Sequence, residues 1–147
     1  MSAENRRWQL GLSAEDAERV AEGEYAYRQA HAMGGQPQAF SLGLYEGDGE
    51  GEALVAGLTG HTELRRLFID QVWVEDEWRG GGLGTAVMRR AEAEALRLGC
   101  LDALVETLSD RTAEWFESLG FTCVTHVHDY LPGFTRHILI KVWKPRD

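Results

Sequence analysis

A glycine-rich stretch in the middle of the chain, Trp78-Arg79-Gly80-Gly81-Gly82-Leu83-Gly84-Thr85, constrains the fold more than any other feature. An apolar run at residues 67–74 precedes it, and a helical pattern over residues 85–98 follows it. A strand, a glycine turn and a helix N-terminus in this order make an anion cradle. Glycines let the backbone approach an anion closely, and the first helical N–H groups have no internal partner. The stretch therefore predicts a site for the pyrophosphate of a nucleotide-containing cofactor.

The spacing of the glycines narrows the choice of cofactor. A Walker loop needs a lysine between its last glycine and the Ser or Thr, but Thr85 follows Gly84 directly. A Rossmann fingerprint would need glycine at position 85 and would open the first βαβ unit, whereas this turn lies mid-chain. The pattern that remains is Arg-x-x-Gly-x-Gly, formed by Arg79, Gly82 and Gly84. The alternative without a ligand is a glycine turn that only reverses the chain.

Length and charge limit the class of protein. The 147 residues suit one domain, residues 1–147, with a sizeable core. The net charge of −9 argues against a nucleic-acid partner and weakly favours a cationic or amine substrate. No apolar run approaches the roughly 20 residues of a membrane span, and the N-terminus lacks the apolar segment of a signal peptide. We expect a cytoplasmic protein that does not bind membranes.

The chain before the glycine turn predicts two kinds of structure. Residues 8–12 resemble a short first strand, and Ser13 is a candidate N-cap for one bent helix or two helices that reach Ala32 and end at 34–37. Residues 39–45 and 54–59 predict a hairpin whose acidic loop, 46–52, is solvated rather than a calcium site. Three side chains of the first region either face a substrate or simply pack: Tyr25, Tyr27 and His31.

Residues 67–74 are apolar on both faces and predict a central strand covered on both sides, interrupted by Asp70 and Gln71. Those two polar side chains have either a structural or a site role. The helix that follows shows one apolar stripe ended by a Gly99 cap, and the stripe consists of Leu83, Val87, Ala91, Ala95 and Leu98. Residues 101–108 then predict a second buried strand, parallel to the first, with Glu106 near its C-terminal end.

The last third of the chain predicts a helix and a hairpin. Ser109 and Asp110 cap a helix over 111–118, and strands at 121–127 and 136–143 flank a turn at 129–133. His126 and His128 share a strand face, but no third ligand lies nearby in sequence, so no metal site is predicted. Cys100 and Cys123 are interpreted as buried thiols rather than as a nucleophile or a disulfide.

Two motifs resemble the GNAT superfamily of N-acetyltransferases, most specifically over residues 67–121 and more loosely over 13–143. The first is Arg79-x-x-Gly82-x-Gly84. The second begins with Asp110 and Ala113 and is similar to the family pattern Asn-x-x-Ala-x-x-Phe-Tyr-x-x-x-Gly-Phe, with its aromatic pair, Trp115-Phe116, offset by one residue before Gly120-Phe121. The resemblance implies an α/β (α+β) fold. Its central sheet would be mixed and mostly antiparallel, with a splayed parallel strand pair and helices on both faces.

The resemblance also implies acetyl-CoA as the cofactor. Its pantetheine arm would pair with the backbone of Val72 and Val74, and an N–H near Val74 would bind the oxyanion. The diphosphate would lie on the N–H groups from Arg79 to Thr85. The cofactor-binding residues implied in this way are Val72, Trp73, Val74, Arg79, Gly80, Gly81, Gly82, Leu83, Gly84, Thr85, Asp110 and Phe116.

The implied reaction is direct attack of a primary amine on the thioester, without an acyl-enzyme. Glu106 and Asp70 are the favoured bases, ahead of Glu75, His126 and His128. Phe116 stands where the family has the tyrosine that protonates the departing thiolate, so Tyr130 or water would have to replace it. Asp110 stands in place of the family asparagine and adds a negative charge near an anionic cofactor.

Two functions from different classes follow. The first is an N-acetyltransferase acting on a small-molecule amine or on a protein amino group. The second is an acyl-CoA-binding module with degenerate or no catalysis. The closing hairpin could also pair across a homodimer, as in many relatives.

Overall fold

The structure is a computed structural model that describes residues 5–31 and 36–146 and forms two compact units, residues 1–35 and 36–147. In the first unit, a single helix, α1, spans Ala14–His31. The hydroxyl oxygen of Ser13 accepts a hydrogen bond from the Asp16 amide at 3.1 Å, which confirms the N-cap. Ala32 and residues 34–35 of the predicted helix end lie outside the described residues. Whether the chain behaves as one domain stays a prediction.

The strand predicted at residues 8–12 is wrong. Trp8 and Leu10 are fully exposed, and no strand occurs within residues 5–13. Gly11 lies in the left-handed region at φ +87°, which interrupts an extended run. Alternation of apolar residues makes a strand only where another strand pairs with it and buries one face.

The second unit is a six-stranded sheet in the order β1-β2-β3-β4-β6-β5 with two helices. Its elements are β1 (Gln38–Glu46), β2 (Ala53–Glu63), β3 (Arg66–Val74), α2 (Leu83–Arg97), β4 (Asp102–Thr107), α3 (Asp110–Ser118), β5 (Thr122–Leu131) and β6 (Phe134–Val142). Every neighbouring pair is antiparallel except β3 and β4, which are parallel. The predicted fold class, with its mostly antiparallel sheet and one parallel pair, is confirmed. No helix in the described ranges has the length and apolarity needed to cross a bilayer.

Helix α2 packs against β1, β2 and β3 through the predicted stripe, with one correction. Val87, Ala91 and Ala95 are buried, but Leu98 is 57% exposed, because it follows the last helical residue and leaves the packed face. Met88, which is not part of the predicted stripe of residues spaced four apart, is fully buried. An apolar face wider than one row buries the neighbouring position as well.

The parallel pair separates part-way along its length. β3 and β4 are paired from Arg66 opposite Asp102 to Ile69 opposite Val105, and the rest of β3 has no partner on that side. The N-terminal half of β3 is the buried part, with Leu67 and Ile69 in the core. Beyond it Asp70, Gln71 and Trp73 are exposed, so the expectation that both faces of this strand are covered holds only for its first half.

A β-bulge lies at the point of separation. The register between β2 and β3 shifts between Thr59 and Gly60, so that Asp70 is the extra residue of β3. A Cβ at Gly60 would lie 2.0 Å from the Phe68 carbonyl oxygen, so only glycine fits opposite the bulge. The bulge bends β3 away from β4 and opens the sheet.

Strands β5 and β6 form the closing hairpin, and its turn is shorter than predicted. Leu131 pairs with Phe134, so only Pro132 and Gly133 lie between the strands, and the predicted five-residue turn at 129–133 is wrong. A register irregularity between Val127 and Leu131 takes up the intervening residues within β5. Polar turn residues such as Asp129 therefore mark a bulged strand end here rather than a loop.

A buried carboxylate anchors the start of β4. Asp102 is 2% exposed, and both of its oxygens accept hydrogen bonds from Arg66 and Arg146 at 2.8–3.2 Å. Burial by itself raises the pKa of Asp102, but the hydrogen bonds and charges of the two guanidinium groups outweigh it and hold the pKa below its ordinary value. This cluster ties β3, β4 and the chain end together.

Candidate functional site

The separation of β3 from β4 opens a cleft of about 750 Å³ within the second unit. Its walls are the exposed half of β3, the end of β4, the glycine turn with the start of α2, and one side of α3. The lining residues are Ile69, Asp70, Gln71, Val72, Trp73, Val74, Trp78, Arg79, Gly80, Gly82, Leu83, Gly84, Thr85, Val105, Glu106, Thr107, Arg111, Thr112, Trp115 and Phe116. A cleft of this size suits a long, narrow ligand.

One end of the cleft is the N-terminus of α2. Its N-cap is Gly82, which has no side chain to bond the first helical amides, and no side-chain cap is present in the described part of the chain. The first intrahelical bond, from the Ala86 amide to the Gly82 carbonyl at 3.0 Å, leaves the amides of Leu83, Gly84 and Thr85 without a helical acceptor. These donors, with the positive end of the helix dipole, suit a phosphate group.

The glycines of the turn have two different physical roles. Gly80 and Gly82 have φ values of +82° and +85°, a region that other residues adopt at a cost. A Cβ at Gly84 would lie 3.1 Å from Cζ2 of Trp115, so this position lets α2 start close against the aromatic side chain of α3. The turn thus combines a special backbone path with close packing.

The unpaired edge of β3 offers backbone groups to the cleft. The Glu75 amide donates to the Val55 carbonyl at 2.8 Å, so it points towards β2. Successive residues of a strand point their backbone groups to opposite edges, which directs the amides of Val74 and Val72 into the cleft. These are the positions from which the resemblance expects pantetheine pairing and oxyanion binding.

Arg79 lines the cleft, and its guanidinium makes bonds within the turn. Its Nε donates to the Val74 carbonyl at 2.8 Å, and its guanidinium pairs with Asp76 at 2.8 Å. Its own amide donates to the Asp76 carbonyl at 3.3 Å. The amides available to a ligand therefore begin after Arg79, and the arginine fixes the loop against the end of β3.

Glu106 lines the cleft and is held by a cation. Oε2 of Glu106 accepts hydrogen bonds from Nε of Arg136 at 2.8 Å and from a second guanidinium nitrogen. The hydrogen bond to Glu106 raises the pKa of Arg136. The Tyr130 ring lies 5.0 Å from the Arg136 guanidinium carbon. Tyr130 does not line the cleft, so it reaches the site only through this chain of contacts.

Phe116 and Asp110, the two residues that depart from the family pattern, have different surroundings. Phe116 is buried, lines the cleft, and makes edge contacts with Trp115 and Phe121 at 4.9 and 5.2 Å between ring centroids. Asp110 lies outside the cleft lining, and its Oδ1 accepts from Nε2 of His137 at 2.6 Å. The carboxylate therefore contacts a histidine of the closing hairpin.

The structure brings most of the sequence-predicted site residues to one cleft. Six of the named candidates are not part of the lining: Glu75, Gly81, Asp110, His126, His128 and Tyr130. Arg111, Thr112 and Trp115 line the cleft but were not predicted as site residues, because the position of α3 beside the end of β4 is a tertiary property. Tyr25, Tyr27 and His31 belong to the first unit, and both interpretations of these side chains, facing a substrate or simply packing, stay predictions.

A glycine turn at a helix N-terminus beside a separated parallel strand pair is the arrangement that the resemblance to acetyltransferases implies, and comparisons with known proteins identify the family. The model of the Acetyltransferase (GNAT) family matches residues 6–121. The chain belongs to the GNAT family of acetyltransferases.

Individual relatives agree with this assignment. The chain is 37% identical over 94 residues to blasticidin-S acetyltransferase of Streptomyces morookaense, covering 63% of this chain and 69% of that protein. It is 31% identical over 70 residues to an acetyltransferase of Agrobacterium fabrum (strain C58 / ATCC 33970), covering 48% and 51%. Its fold is similar to the crystal structure of an acetyltransferase from Bacillus cereus ATCC 14579, with a TM-score of 0.83, 21% identity, and coverage of 92% and 97%.

Proposed function

We propose that the protein transfers the acetyl group of acetyl-CoA to a primary amine of a small molecule. The observation that carries this proposal is the uncapped start of α2 at the end of an unpaired β3 edge. Together they offer amide donors for a diphosphate and, further along the cleft, backbone groups for an extended pantetheine chain. Acetyl-CoA has both parts in that order.

The residues suit direct attack on the thioester. The amine nitrogen forms a bond to the acetyl carbon, the carbon–sulfur bond breaks, and the thiolate of CoA departs. The Val74 amide would donate to the carbonyl oxygen as negative charge develops there, an effect worth on the order of 3 kcal/mol. Because Phe116 has no acidic proton, we expect the departing thiolate to take its proton from water.

The proton of the amine needs an acceptor at the cleft. Asp70 is exposed at the bulge and lines the cleft, and no partner of its carboxylate is present within the described residues. Glu106 lines the opposite wall, but Arg136 occupies its Oε2. We therefore place Asp70 first as general base, and assign Glu106 with Arg136 to binding of the acceptor amine.

A small-molecule acceptor is favoured over a protein amino group by the relative with the highest identity described above. Blasticidin-S acetyltransferase is named for a small-molecule substrate. The net charge of −9 also suits a cationic acceptor, although acidity alone has many other causes. The second candidate function, an acyl-CoA-binding module without turnover, is favoured by the absence of the family tyrosine at Phe116.

A panel assay separates these functions. The purified chain is incubated with acetyl-CoA and, in turn, blasticidin S, a polyamine and a short peptide with a free N-terminus. Thiol release and product mass are then followed. We expect acetylation of a small amine at a higher kcat/KM than that of the peptide. Faster acetylation of the peptide would overturn the acceptor class, and saturable CoA binding with no turnover on any amine would favour the binding module.

A further inference from the structure

Four side chains that the acetyl-transfer site does not use meet on one face of the closing hairpin. Nδ1 of His126 lies 3.0 Å from Nδ1 of His137, and Cys123 Sγ lies 3.8 Å from the same His126 atom. The donor atoms of Cys123, His126 and His137 all lie within 4.8 Å of one another. Asp110, from the first turn of α3, accepts from Nε2 of His137 at 2.6 Å.

A β-bulge near the start of β5 brings these side chains together. Residues three apart in a regular strand point to opposite faces, so Cys123 and His126 should diverge. The register of β5 against β6 shifts between Cys123 and Thr125, which returns both side chains to the same face. His126 lies directly opposite His137, and Cys123 lies opposite Leu139, two residues further along that face.

The contact with Asp110 orients the His137 ring. A neutral imidazole has one N–H and one lone pair. In the neutral ring with its N–H at Nε2 towards the carboxylate, the lone pair lies on Nδ1, the atom that faces His126. A carboxylate that orients a histidine while the other ring nitrogen faces further ligands is the outer-shell arrangement found at metal sites.

The spacing and the chemistry of the donor atoms fit a transition metal. Around a tetrahedral zinc ion, two nitrogens lie about 3.4 Å apart, and a nitrogen and a thiolate sulfur about 3.6 Å apart. The observed separations of 3.0 Å and 3.8 Å are within a few tenths of an ångström of these values. One thiolate with two imidazoles suits Zn²⁺ and its neighbours rather than Mg²⁺ or Ca²⁺, which prefer oxygen.

We propose that Cys123, His126 and His137 bind a divalent transition metal ion of the zinc class, and that Asp110 positions His137 for this. The three protein ligands leave a fourth position for water or another ligand. His126 is exposed, so the ion has a route to the site from solvent. His137 pairs with Thr107, a residue of the cleft wall, so the metal would fix the hairpin beside the acetyl-transfer site.

Without a metal, the same atoms form a chain of hydrogen bonds that competes with this proposal. The thiol of Cys123 contacts the Thr125 carbonyl at 3.4 Å, and Nδ1–H of His126 can donate to Nδ1 of His137. When a metal binds, the thiol proton of Cys123 is released and the Nδ1 proton of His126 moves to Nε2, so binding should release the thiol proton. Metal affinity measured on the free chain therefore decides between the two arrangements.

The test uses the tag-free chain, stripped of metal with a chelator and titrated with Zn²⁺ by calorimetry and with Co²⁺ by absorption spectroscopy. We expect one equivalent of Zn²⁺ bound more tightly than about 10 µM, and a Co²⁺ spectrum with thiolate charge-transfer and tetrahedral ligand-field bands. Cys123→Ser and His126→Gln should abolish both signals. Asp110→Ala should weaken Zn²⁺ binding about 10- to 100-fold, because it removes only the orienting carboxylate.

Matched controls separate the site from general effects. Cys100→Ala removes the other thiol and His31→Gln removes a histidine of the first unit, so both should keep the wild-type affinity. Circular dichroism shows that each variant is folded. The proposal is overturned if the wild type shows no saturable Zn²⁺ binding, or if binding persists in the folded Cys123→Ser and His126→Gln variants. Neither result depends on acetyl transfer, so the proposed function is tested separately.

Discussion

A substitution at Thr85 can place a negatively charged side chain of the protein itself in the anion cradle. Thr85 is the third residue of α2 counted from the Gly82 N-cap, and it lines the cleft. A glutamate at this position of a helix places its carboxylate beside the first-turn amides. The carboxylate introduced by Thr85→Glu should therefore compete with a diphosphate for the same backbone amides. It should also stabilise the helix.

The added charge should stabilise the helix and weaken the binding of a diphosphate, and the free energy of each effect can be estimated. A carboxylate in the first turn stabilises a helix by about 0.3–1 kcal/mol through the dipole. The same charge about 5 Å from a phosphate costs about 1–3 kcal/mol at the effective dielectric constants of a protein surface. We expect the variant to unfold at the same or a slightly higher temperature, and to bind CoA about 10- to 100-fold more weakly than the wild type.

Calorimetry with CoA and with pantetheine measures this directly. Pantetheine lacks the diphosphate, so its binding should be equal in the wild type and in Thr85→Glu. Thr85→Gln has nearly the same shape without the charge and should bind CoA within a few-fold of the wild type. Equal CoA affinity in the Glu and Gln variants, with both folded, would refute the assignment of the diphosphate to this helix end.

Four further predictions concern the sheet and the cleft. Asp102→Asn should lower the free energy of unfolding by about 3 kcal/mol, because two guanidinium groups lose their buried partner. The pKa of Asp102 is lower in the folded state than in the unfolded state, so the carboxylate stabilises the fold fully above the unfolded pKa of about 3.9. This part of the free energy of unfolding is lost as the pH falls further. Denaturant titrations should therefore show that the wild type loses stability in acid more steeply than the variant. Gly60→Ala should unfold at a much lower temperature, because its Cβ would meet a backbone oxygen at 2.0 Å, and a normal melting temperature would contradict the bulge geometry. Tyr130→Phe should keep kcat within about twofold, while a tenfold loss would assign Tyr130 as the acid. Asp70→Asn should lower kcat at least tenfold with CoA affinity unchanged, and Glu106→Gln should mainly raise KM for the amine; the reverse pattern would exchange the two roles.

The sequence predicted those parts of the fold in which local pattern and tertiary environment agree. The first half of the strand at 67–74 and the stripe of α2 have apolar patterns that the fold buries, and the glycine turn has the positive φ angles that favour glycine. The parallel pairing of β3 and β4 followed from the handedness of the crossover. The same reasoning failed at residues 8–12, where an apolar alternation has no partner strand within the described ranges.

The bulges could not be predicted, and two of them lie at the sites that we propose. At Asp70 an extra residue redirects β3 and opens the cleft, and nothing in the local sequence except Gly60 marks it. At Cys123 another bulge changes which side chains share a face of the strand. The histidine pattern of β5 alone therefore did not indicate which other polar side chains lie beside the histidines. Cross-strand partners such as His137 lie far away in sequence, and their register is a tertiary property.

A crystal structure of the chain with CoA tests the central assignment most directly. We predict that the diphosphate oxygens lie about 2.7–3.2 Å from at least two amide nitrogens between Gly80 and Thr85, with the pantetheine arm along the unpaired edge of β3. A diphosphate bound elsewhere on the chain, or these amides bonded to the protein's own groups with CoA present, would contradict the account.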